Sequence, residues 1–286
     1  MKLATYLSAE GPRVGVIVKD GLVDVHSLDS SLPLTLAELL ARGPAALQKL
    51  GEAAGKGQAV PLNSVKLLAP IPKPGKVFCI GLNYADHARE TGKEPPPEPV
   101  VFNKFTSCVI ATGEPIVVPK VCKKVDYEAE LVVVIGKGGK HIAESEAMTH
   151  VAGYACGHDV SGRDWQTEKP GGQWLLGKSF DTFAPLGPYL VTADEIPEPG
   201  NLRVQFRLNG QTLQDSTTAQ LIFSVPKLIA YLSQVVALSP GDVIYTGTPP
   251  GVGAARKPPV FMKPGDVAEV EIEGLGVLSN PVVAEA

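Results

Sequence analysis

The chain has 286 residues, with 26 Lys and Arg against 30 Asp and Glu, which gives a formal net charge of −4. This weakly acidic balance gives no sign of the basic surface that nucleic acids or anionic membranes require, so we expect neither as a partner. Hydrophobic residues make up 44% of the chain, which argues against disorder. No apolar run approaches the ~18 residues of a membrane span.

The cysteines and the start of the chain indicate a cellular location. The four cysteines are widely spaced and form no CxxC pair, which favours reduced thiols over a disulfide framework or a zinc site. The first apolar stretch ends at Gly11-Pro12 and is too short for a secretory signal. We therefore predict a cytoplasmic protein.

Residues 1–70 are predicted to form a small N-terminal α+β domain. Residues 13–18 and 21–25 resemble two strands joined by a tight turn. Thr35 and Glu38 have the spacing of a capping box, which predicts a helix that ends before Gly43-Pro44, and residues 45–50 add a second short helix. The Pro-rich run at 71–76 marks the boundary of a catalytic domain over 71–286.

The second segment is predicted to be rich in strands and poor in helices. Buried-strand patterns occur at 77–80 and 131–135, and an alternating strand at 204–208 leads into the hairpin turn Asn209-Gly210. Helical patterns are confined to 84–90, 145–148 and 225–236. Because helices and strands do not alternate regularly, we predict an α+β protein dominated by a mixed, curved sheet.

A cluster of acidic residues leads into the strand at 131–135. Residues two apart on a strand point the same way, so Glu128 and Glu130 share a face and Asp126 lies behind them. Like charges next to a buried strand are costly unless a cation neutralises them, and carboxylate oxygens favour Mg²⁺, Ca²⁺ or Mn²⁺. A solvated strand face is the alternative, and the ExE pattern alone favours it.

Four further polar residues indicate a functional site only when they are considered together. Asp159 ends an apolar strand, where sites are often built. Arg163 and Gln166 lie three apart and share a face if their turn is helical, although a solvated loop is the simpler interpretation. Lys178 stands alone in an apolar setting, which usually indicates a surface lysine whose stem is buried.

His87 and Glu90 form a second pair at helical spacing, which would bring an imidazole close to a carboxylate. His87 and Glu90 lie three apart in a predicted helix, so the carboxylate could hold the ring in one tautomer and raise its basicity. The spacing alone favours the alternative, an ordinary His–Glu pair on the helix surface with no role in function.

Together these residues resemble the fumarylacetoacetate hydrolase family, over about residues 73–283. The matching blocks are GLNY at 81–84 with His87 and Glu90, DYEAEL at 126–131, DVSGRD at 159–164, GKSFD at 177–181 and YTGTPPGVG at 245–253. The runs WLLGK at 174–178 and RKPPVF at 256–261 are most similar to the branch called fumarylacetoacetate hydrolase domain-containing protein 2.

The resemblance implies a β-rich, mixed sandwich-roll catalytic domain, a homodimer, and a bound Mg²⁺ or Mn²⁺ ion, with Ca²⁺ as a substitute in crystals. It also implies residue roles. The metal ligands would be Glu128, Glu130 and Asp159. His87 with Glu90 would activate water on a segment that closes over the substrate, which we predict to run from Asn83 to about Pro97 and to be mobile without ligand. Lys178 and Gln166 would face an oxyanion. The substrate pocket would be lined by Arg163 and Thr248, with Asp126 in a structural role.

One departure from the family bears on the substrate. Fumarylacetoacetase supplies a fourth carboxylate just ahead of its histidine, whereas residues 77–82 here are apolar apart from Cys79. This favours a small 2-oxo acid substrate over fumarylacetoacetate.

The first prediction for function is a hydrolase that cleaves a C–C bond in an acylpyruvate-type β-diketo acid through a metal-bound enolate. The alternatives are an oxaloacetate decarboxylase, an oxaloacetate keto–enol tautomerase, and a 2-oxo acid hydratase or dehydratase, all using the same metal site. A metal-binding scaffold without catalysis would have lost the dyad or Lys178, and a structural subunit would have lost the carboxylates as well. All of these residues are present.

Overall fold

The computed structural model describes residues 1–92 and 94–286. Their strands form sheets of twelve, five and two strands. The first ten strands are β1 (Lys2–Ser8), β2 (Gly11–Val18), β3 (Gly21–Asp24), β4 (Val60–Pro61), β5 (Lys66–Leu68), β6 (Val77–Gly81), β7 (Val100–Asn103), β8 (Val109–Ile110), β9 (Ile116–Val118) and β10 (Val125–Asp126). The others are β11 (Ala129–Ile135), β12 (Val151–His158), β13 (Ser161–Gly162), β14 (Ala184–Thr192), β15 (Arg203–Leu208), β16 (Gln211–Thr217), β17 (Val243–Tyr245), β18 (Val267–Ile272) and β19 (Gly276–Ala284).

The helices are short and few among the described residues. They are α1 (Val25–Leu28), α2 (Leu36–Ala41), α3 (Pro44–Ala54), α4 (Ala85–Thr91), α5 (Arg163–Glu168), α6 (Trp174–Lys178) and α7 (Val225–Val235). The helix predicted at 145–148 is a 3-10 helix over Glu144–His150. None of the helices in this part of the chain is long and apolar enough to cross a membrane.

The large sheet is mixed, which confirms the α+β prediction. Its strand order is β4-β3-β2-β1-β14-β12-β11-β17-β6-β7, in which β17 and β6 are parallel and the other neighbours antiparallel. Strand β1 joins β14 with Lys2 opposite Val191. The strands of residues 1–70 therefore continue the sheet of the second segment, and a division into two domains at residue 70 stays a prediction.

Local sequence signals account for the turns and helix starts. Asn209 and Gly210 have φ of 53° and 78° and join β15 to β16, as an Asn-Gly hairpin turn requires. The Thr35 hydroxyl accepts a hydrogen bond from the Glu38 N–H at the start of α2, so the capping box is confirmed. Helix α3 begins one residue earlier than predicted because Pro44 occupies its first turn, where proline is favourable. It also continues beyond the predicted end, as far as the buried Ala54.

Strand β11 lies at the centre of the molecule and carries the acidic segment. All seven of its residues are buried. Leu131 and Val133 pack in the cluster that includes Phe206 of the five-stranded sheet. Val132 and Val134 pack in the cluster shared with the N-terminal helices. Because both faces are covered, the carboxylates at the start of this strand are held in the buried interior of the fold.

Candidate metal centre and active site

Three carboxylates meet where β11 begins and β12 ends. Glu128, Glu130 and Asp159 each offer an oxygen that lies within 4.8 Å of the other two, and all three side chains are buried. The antiparallel register pairs Ala129 with His158, which brings the two strand ends side by side. The Asp159 N–H also donates to the Glu128 carbonyl at 3.0 Å. The backbone therefore fixes the cluster that the sequence predicted.

The electrostatics of the cluster fit a divalent cation. Burial, together with the charges of Asp159 and Glu128, raises the pKa of Glu130 well above its usual value. Burial of Glu128 opposes its ionisation, but the charges of Lys178 and Arg163 lower its pKa to about 2. Such crowded, buried oxygen donors form the environment that Mg²⁺ or Mn²⁺ prefers. The residues present therefore fit the ion that the resemblance implies.

Lys178 is buried at this cluster and not at the surface. Its ammonium group on α6 donates to Glu128 Oε2 at 2.7 Å and to Asp159 Oδ2 at 2.8 Å. Only 2% of the residue is exposed. Its two carboxylate partners compensate the cost of burying the charge, so the simpler interpretation as a surface lysine is wrong.

Arg163 connects Asp126 to the cluster. Its Nε donates to Asp126 Oδ2 at 2.7 Å, and its Nη2 donates to Glu128 Oε1 at 2.6 Å. Its Nη1 donates to Gln166 Oε1 at 2.9 Å, so the amide side chain is oriented by the same guanidinium. Asp126 in turn accepts from the Gly253 N–H at 2.7 Å. Asp126 lies outside the three-carboxylate cluster and holds Arg163 in place, the structural role expected of it.

Lys104 is a site residue that the sequence analysis missed. It follows β7, is 2% exposed, and its ammonium group contacts Asp159 Oδ1 and the Val160 carbonyl, the latter at 3.0 Å. Lys104 lies in a largely apolar run, and no acidic residue next to it in the sequence indicates that it belongs to a site. The alternation of β7, which places Lys104 on the same side as Phe102, is the one signal that could have found it.

The predicted dyad is formed at the rim of the cavity. His87 Nδ1 lies 2.9 Å from Glu90 Oε2 on α4, and the Gly251 N–H donates to Glu90 Oε1 at 3.1 Å. His87 lines the cavity. The other nearby histidine, His158, is fully buried next to Asp159, and burial lowers its pKa to about 3. His87 is therefore the imidazole placed to exchange protons with a bound molecule.

The segment from Asn83 to Pro97 was predicted to be a mobile lid, and its first residues do not fit that description. The Asn83 side chain bonds to the backbone of Phe223 and Thr246, and Tyr84 is fully buried. Mobility is therefore expected only from α4 onward. Lys93, which the predicted lid includes, lies outside the described residues.

A cavity of about 310 Å³ is lined by most of the predicted site residues. Its polar wall includes His87, Glu128, Arg163, Gln166, Lys178 and Thr248. Glu90 and Asp159 contact this wall from outside the cavity, through His87 and Lys178, and an oxygen of Glu130 lies within 4.8 Å of one of Glu128. The Thr248 hydroxyl donates to the Ala129 carbonyl at 3.0 Å and accepts from Gln214 at 2.9 Å, so its orientation is fixed. Trp174 and Phe102 form an edge-to-face pair, 5.4 Å between centroids, on the apolar side.

Comparison with known proteins finds similarity over nearly the whole chain. The family model described as fumarylacetoacetate (FAA) hydrolase C-terminal matches residues 76–283. Among curated proteins, oxaloacetate tautomerase fahd2, mitochondrial, of Xenopus laevis is 50% identical over 99% of this chain and 90% of its own length. Oxaloacetate tautomerase FAHD2A, mitochondrial, of Homo sapiens is 48% identical over 96% of this chain and 88% of its own.

Solved structures show the same fold. A putative HpcE protein from Mycobacterium smegmatis is 40% identical, with a TM-score of 0.88 over 99% of this chain and 100% of its own. Maleylpyruvate hydrolase from Sphingobium sp. SYK-6, solved in complex with manganese (II) ion and pyruvate, is 29% identical, with a TM-score of 0.84 over the whole of both chains.

Proposed function

The chain belongs to the fumarylacetoacetate hydrolase family, and on this basis we propose that it catalyses keto–enol tautomerisation of oxaloacetate with a bound divalent cation. The observation that carries the proposal is the near full-length identity, 48–50%, to proteins named oxaloacetate tautomerase. Tautomerisation, one of the alternatives drawn from the sequence, is therefore preferred over the acylpyruvate cleavage that was predicted first.

The size and charge of the cavity support a small dianion. About 310 Å³ lies at the lower end of the ~300–1,000 Å³ range of small-molecule sites, which suits a four-carbon acid. Lys178 and Arg163 both line the cavity and carry positive charge. Opposite charge raises the affinity for a dicarboxylate, and the fixed guanidinium contributes to its orientation.

The reaction moves one proton from C3 of oxaloacetate to the oxygen on C2, and it requires neither water nor a second substrate. His87 is the proposed base for the C3 proton. If its Nδ1–H donates to Glu90, Nε2 is the basic ring atom. Lys178, buried beside the carboxylates, is the proposed group that stabilises negative charge on the C2 oxygen and supplies the proton there.

Glu128, Glu130 and Asp159 are the proposed holders of the cation, which would polarise the 2-keto group and stabilise charge on its oxygen. The manganese (II) ion and pyruvate bound to the Sphingobium relative support this combination. Arg163 keeps Glu128 ionised and oriented, and Gln166 is held by Arg163 at the cavity wall. The chain's own part is to position substrate and move the proton.

A substrate panel tests this function. Purified protein is assayed with oxaloacetate, acetylpyruvate and fumarylpyruvate, with Mn²⁺, with Mg²⁺ and with EDTA. Tautomer exchange is followed by the ultraviolet absorbance of the enol, and pyruvate is measured separately. We expect metal-dependent acceleration of oxaloacetate exchange with little pyruvate from any substrate. Rapid pyruvate release from an acylpyruvate would restore the hydrolase prediction.

Assembly and location remain proposals. We propose a homodimer, as the resemblance implies, and light scattering should give about twice the 30.0 kDa mass of the chain. A mass of one chain would contradict this. The cytoplasmic location stays a prediction, since the curated relatives carry the word mitochondrial in their names.

A further inference from the structure

We propose that Lys104 is a positioning residue of the metal centre, which holds the Asp159 carboxylate in the orientation that the cation needs. This inference rests on the metal site proposed above. It concerns a residue that does not touch the substrate cavity and that no sequence motif marks.

Asp159 contacts two lysines, of which one lines the cavity and the other does not. Lys178 donates to Asp159 Oδ2 at 2.8 Å and also lines the cavity. Lys104 contacts the other oxygen, Oδ1, and is not part of the cavity wall. Each oxygen of the Asp159 carboxylate therefore contacts one lysine, Oδ2 on the side of the cavity and Oδ1 on the side away from it. Lys178 can meet the substrate, whereas Lys104 acts only through Asp159.

Lys104 also fixes the backbone that carries Asp159. Its ammonium group donates to the Val160 carbonyl at 3.0 Å, so one side chain binds both the carboxylate and the next peptide group. Asp159 itself is fully buried, and Lys104 is 2% exposed. A buried ammonium group with two fixed acceptors has little freedom, and the carboxylate that it holds has equally little.

Lys104 could affect metal affinity in two ways, by charge repulsion and by orienting Asp159. Removing the lysine changes the affinity in opposite directions in the two cases, so one measurement distinguishes them. Lys104 is a positive charge close to the proposed cation, so simple repulsion predicts that its removal tightens metal binding. If Lys104 orients Asp159, its removal weakens binding instead, by roughly 10–100-fold, as is usual for residues that orient metal ligands. We expect the second effect to be larger, because Asp159 would lose one of its two fixed contacts.

A matched control exists elsewhere in the chain. Lys76 donates to Asp242 Oδ2 at 2.8 Å, and Asp242 is also fully buried, but neither residue lines the cavity. Lys76→Met removes a lysine–aspartate pair in which the carboxylate is equally buried and the lysine side chain is 35% exposed. It is expected to lower the thermal midpoint without changing metal affinity.

The experiment measures the dissociation constant of Mn²⁺ by calorimetry for wild type, Lys104→Met, Lys104→Gln and Lys76→Met, with circular dichroism to verify folding. Lys104→Gln keeps a donor for the Val160 carbonyl, so a folding defect in one variant does not remove the test. We expect both Lys104 variants to bind Mn²⁺ 10–100-fold more weakly. Saturating Mn²⁺ should restore kcat to within a few-fold in these variants, but not in Lys178→Met.

The outcomes separate the two proposals. If wild type binds Mn²⁺ and the Lys104 variants bind it equally or more tightly, the positioning role is wrong while the proposed function stands. If kcat of the Lys104 variants stays low at saturating Mn²⁺, Lys104 is not a positioning residue. If wild type binds no divalent cation, the metal site itself is wrong, and this inference with it.

Discussion

His87 Nδ1 lies 2.9 Å from Glu90 Oε2, and the Gly251 N–H donates to the same carboxylate from a loop of the catalytic core. Because the Glu90 carboxylate contacts both the imidazole and the Gly251 N–H, the imidazole has one preferred orientation towards the cavity. Helix α4 is joined to the core through this carboxylate, so the position of the proposed base depends on where the helix lies.

Replacing the proposed base tests its role. His87→Ala should lower the rate of oxaloacetate tautomerisation by roughly 100-fold or more, the usual contribution of a general base. Mn²⁺ affinity should hardly change, because His87 is not a member of the carboxylate cluster. Glu90→Gln should produce a smaller loss, since the ring remains but its orientation is less fixed.

His141→Asn is the control for a histidine remote from the cavity. His141 is exposed and has φ of 55°, a conformation that asparagine tolerates. This variant should keep full activity. Activity of His87→Ala within a few-fold of wild type would remove His87 from the mechanism.

Metal removal should be visible in stability as well as in activity. A cation present at 100 times its dissociation constant stabilises the folded state by about 2.7 kcal/mol. The thermal midpoint should therefore rise with Mn²⁺ and fall with EDTA. Glu130→Gln should abolish the Mn²⁺-dependent shift without lowering the midpoint in EDTA, because it removes a carboxyl group whose pKa is raised by burial and by the charges of Asp159 and Glu128. An unchanged Mn²⁺ shift in this variant would contradict the assignment of Glu130.

A glycine beside Asp126 should be needed for both stability and substrate binding. A Cβ at Gly253 would lie 1.8 Å from the Val260 carbonyl oxygen and 2.5 Å from Asp126 Oδ1. Gly253→Ala should therefore destabilise the fold by about 1–3 kcal/mol and raise KM, because Asp126 holds Arg163. Gly55→Ala, where no atom lies within 4 Å of the added Cβ, should change stability by less than about 0.5 kcal/mol. Equal effects of the two variants in urea unfolding would refute the close-packing argument.

Helix α4 should exchange its amide hydrogens faster than the buried strand β11. Several of its contacts with the core are made by exposed side chains, such as Arg89 to Gln220 at 3.1 Å, although Ala88 is buried. Oxalate, an analogue of a 2-oxo acid, should slow exchange at residues 85–92 in the presence of Mn²⁺. Identical exchange with and without oxalate would mean that α4 does not close over a ligand.

Short-range patterns in the sequence accounted for much of the fold. The Asn209-Gly210 turn and the capping box at Thr35 depend on residues within a few positions, so their geometry could be predicted. Helix α3 and the 3-10 helix at Glu144–His150 differed from expectation because their ends depend on Pro44 and on packing. The pairing of β1 with β14 joins residues about 190 positions apart, and no local pattern indicates it.

The candidate site divides in the same way. Glu128 and Glu130 were found because residues two apart in extended backbone share a face, and Asp159 because it directly follows a strand. Lys104 was missed because its acidic partner lies 55 positions away and its immediate neighbours in the sequence, residues 99–103 and 105–109, are uncharged. The burial of Lys178 was likewise invisible, since only the fold shows that two carboxylates compensate its charge.

The most direct test of the account follows oxaloacetate in a single sample by NMR, with enol, keto form and pyruvate resolved at once. Oxaloacetate enriched in the enol is mixed with the Mn²⁺-loaded protein. The account predicts that the enol converts to the keto form faster than in buffer, that EDTA removes the acceleration, and that pyruvate does not rise above its uncatalysed rate. Loss of oxaloacetate matched by equal formation of pyruvate, or enol decay no faster than in buffer, would contradict it.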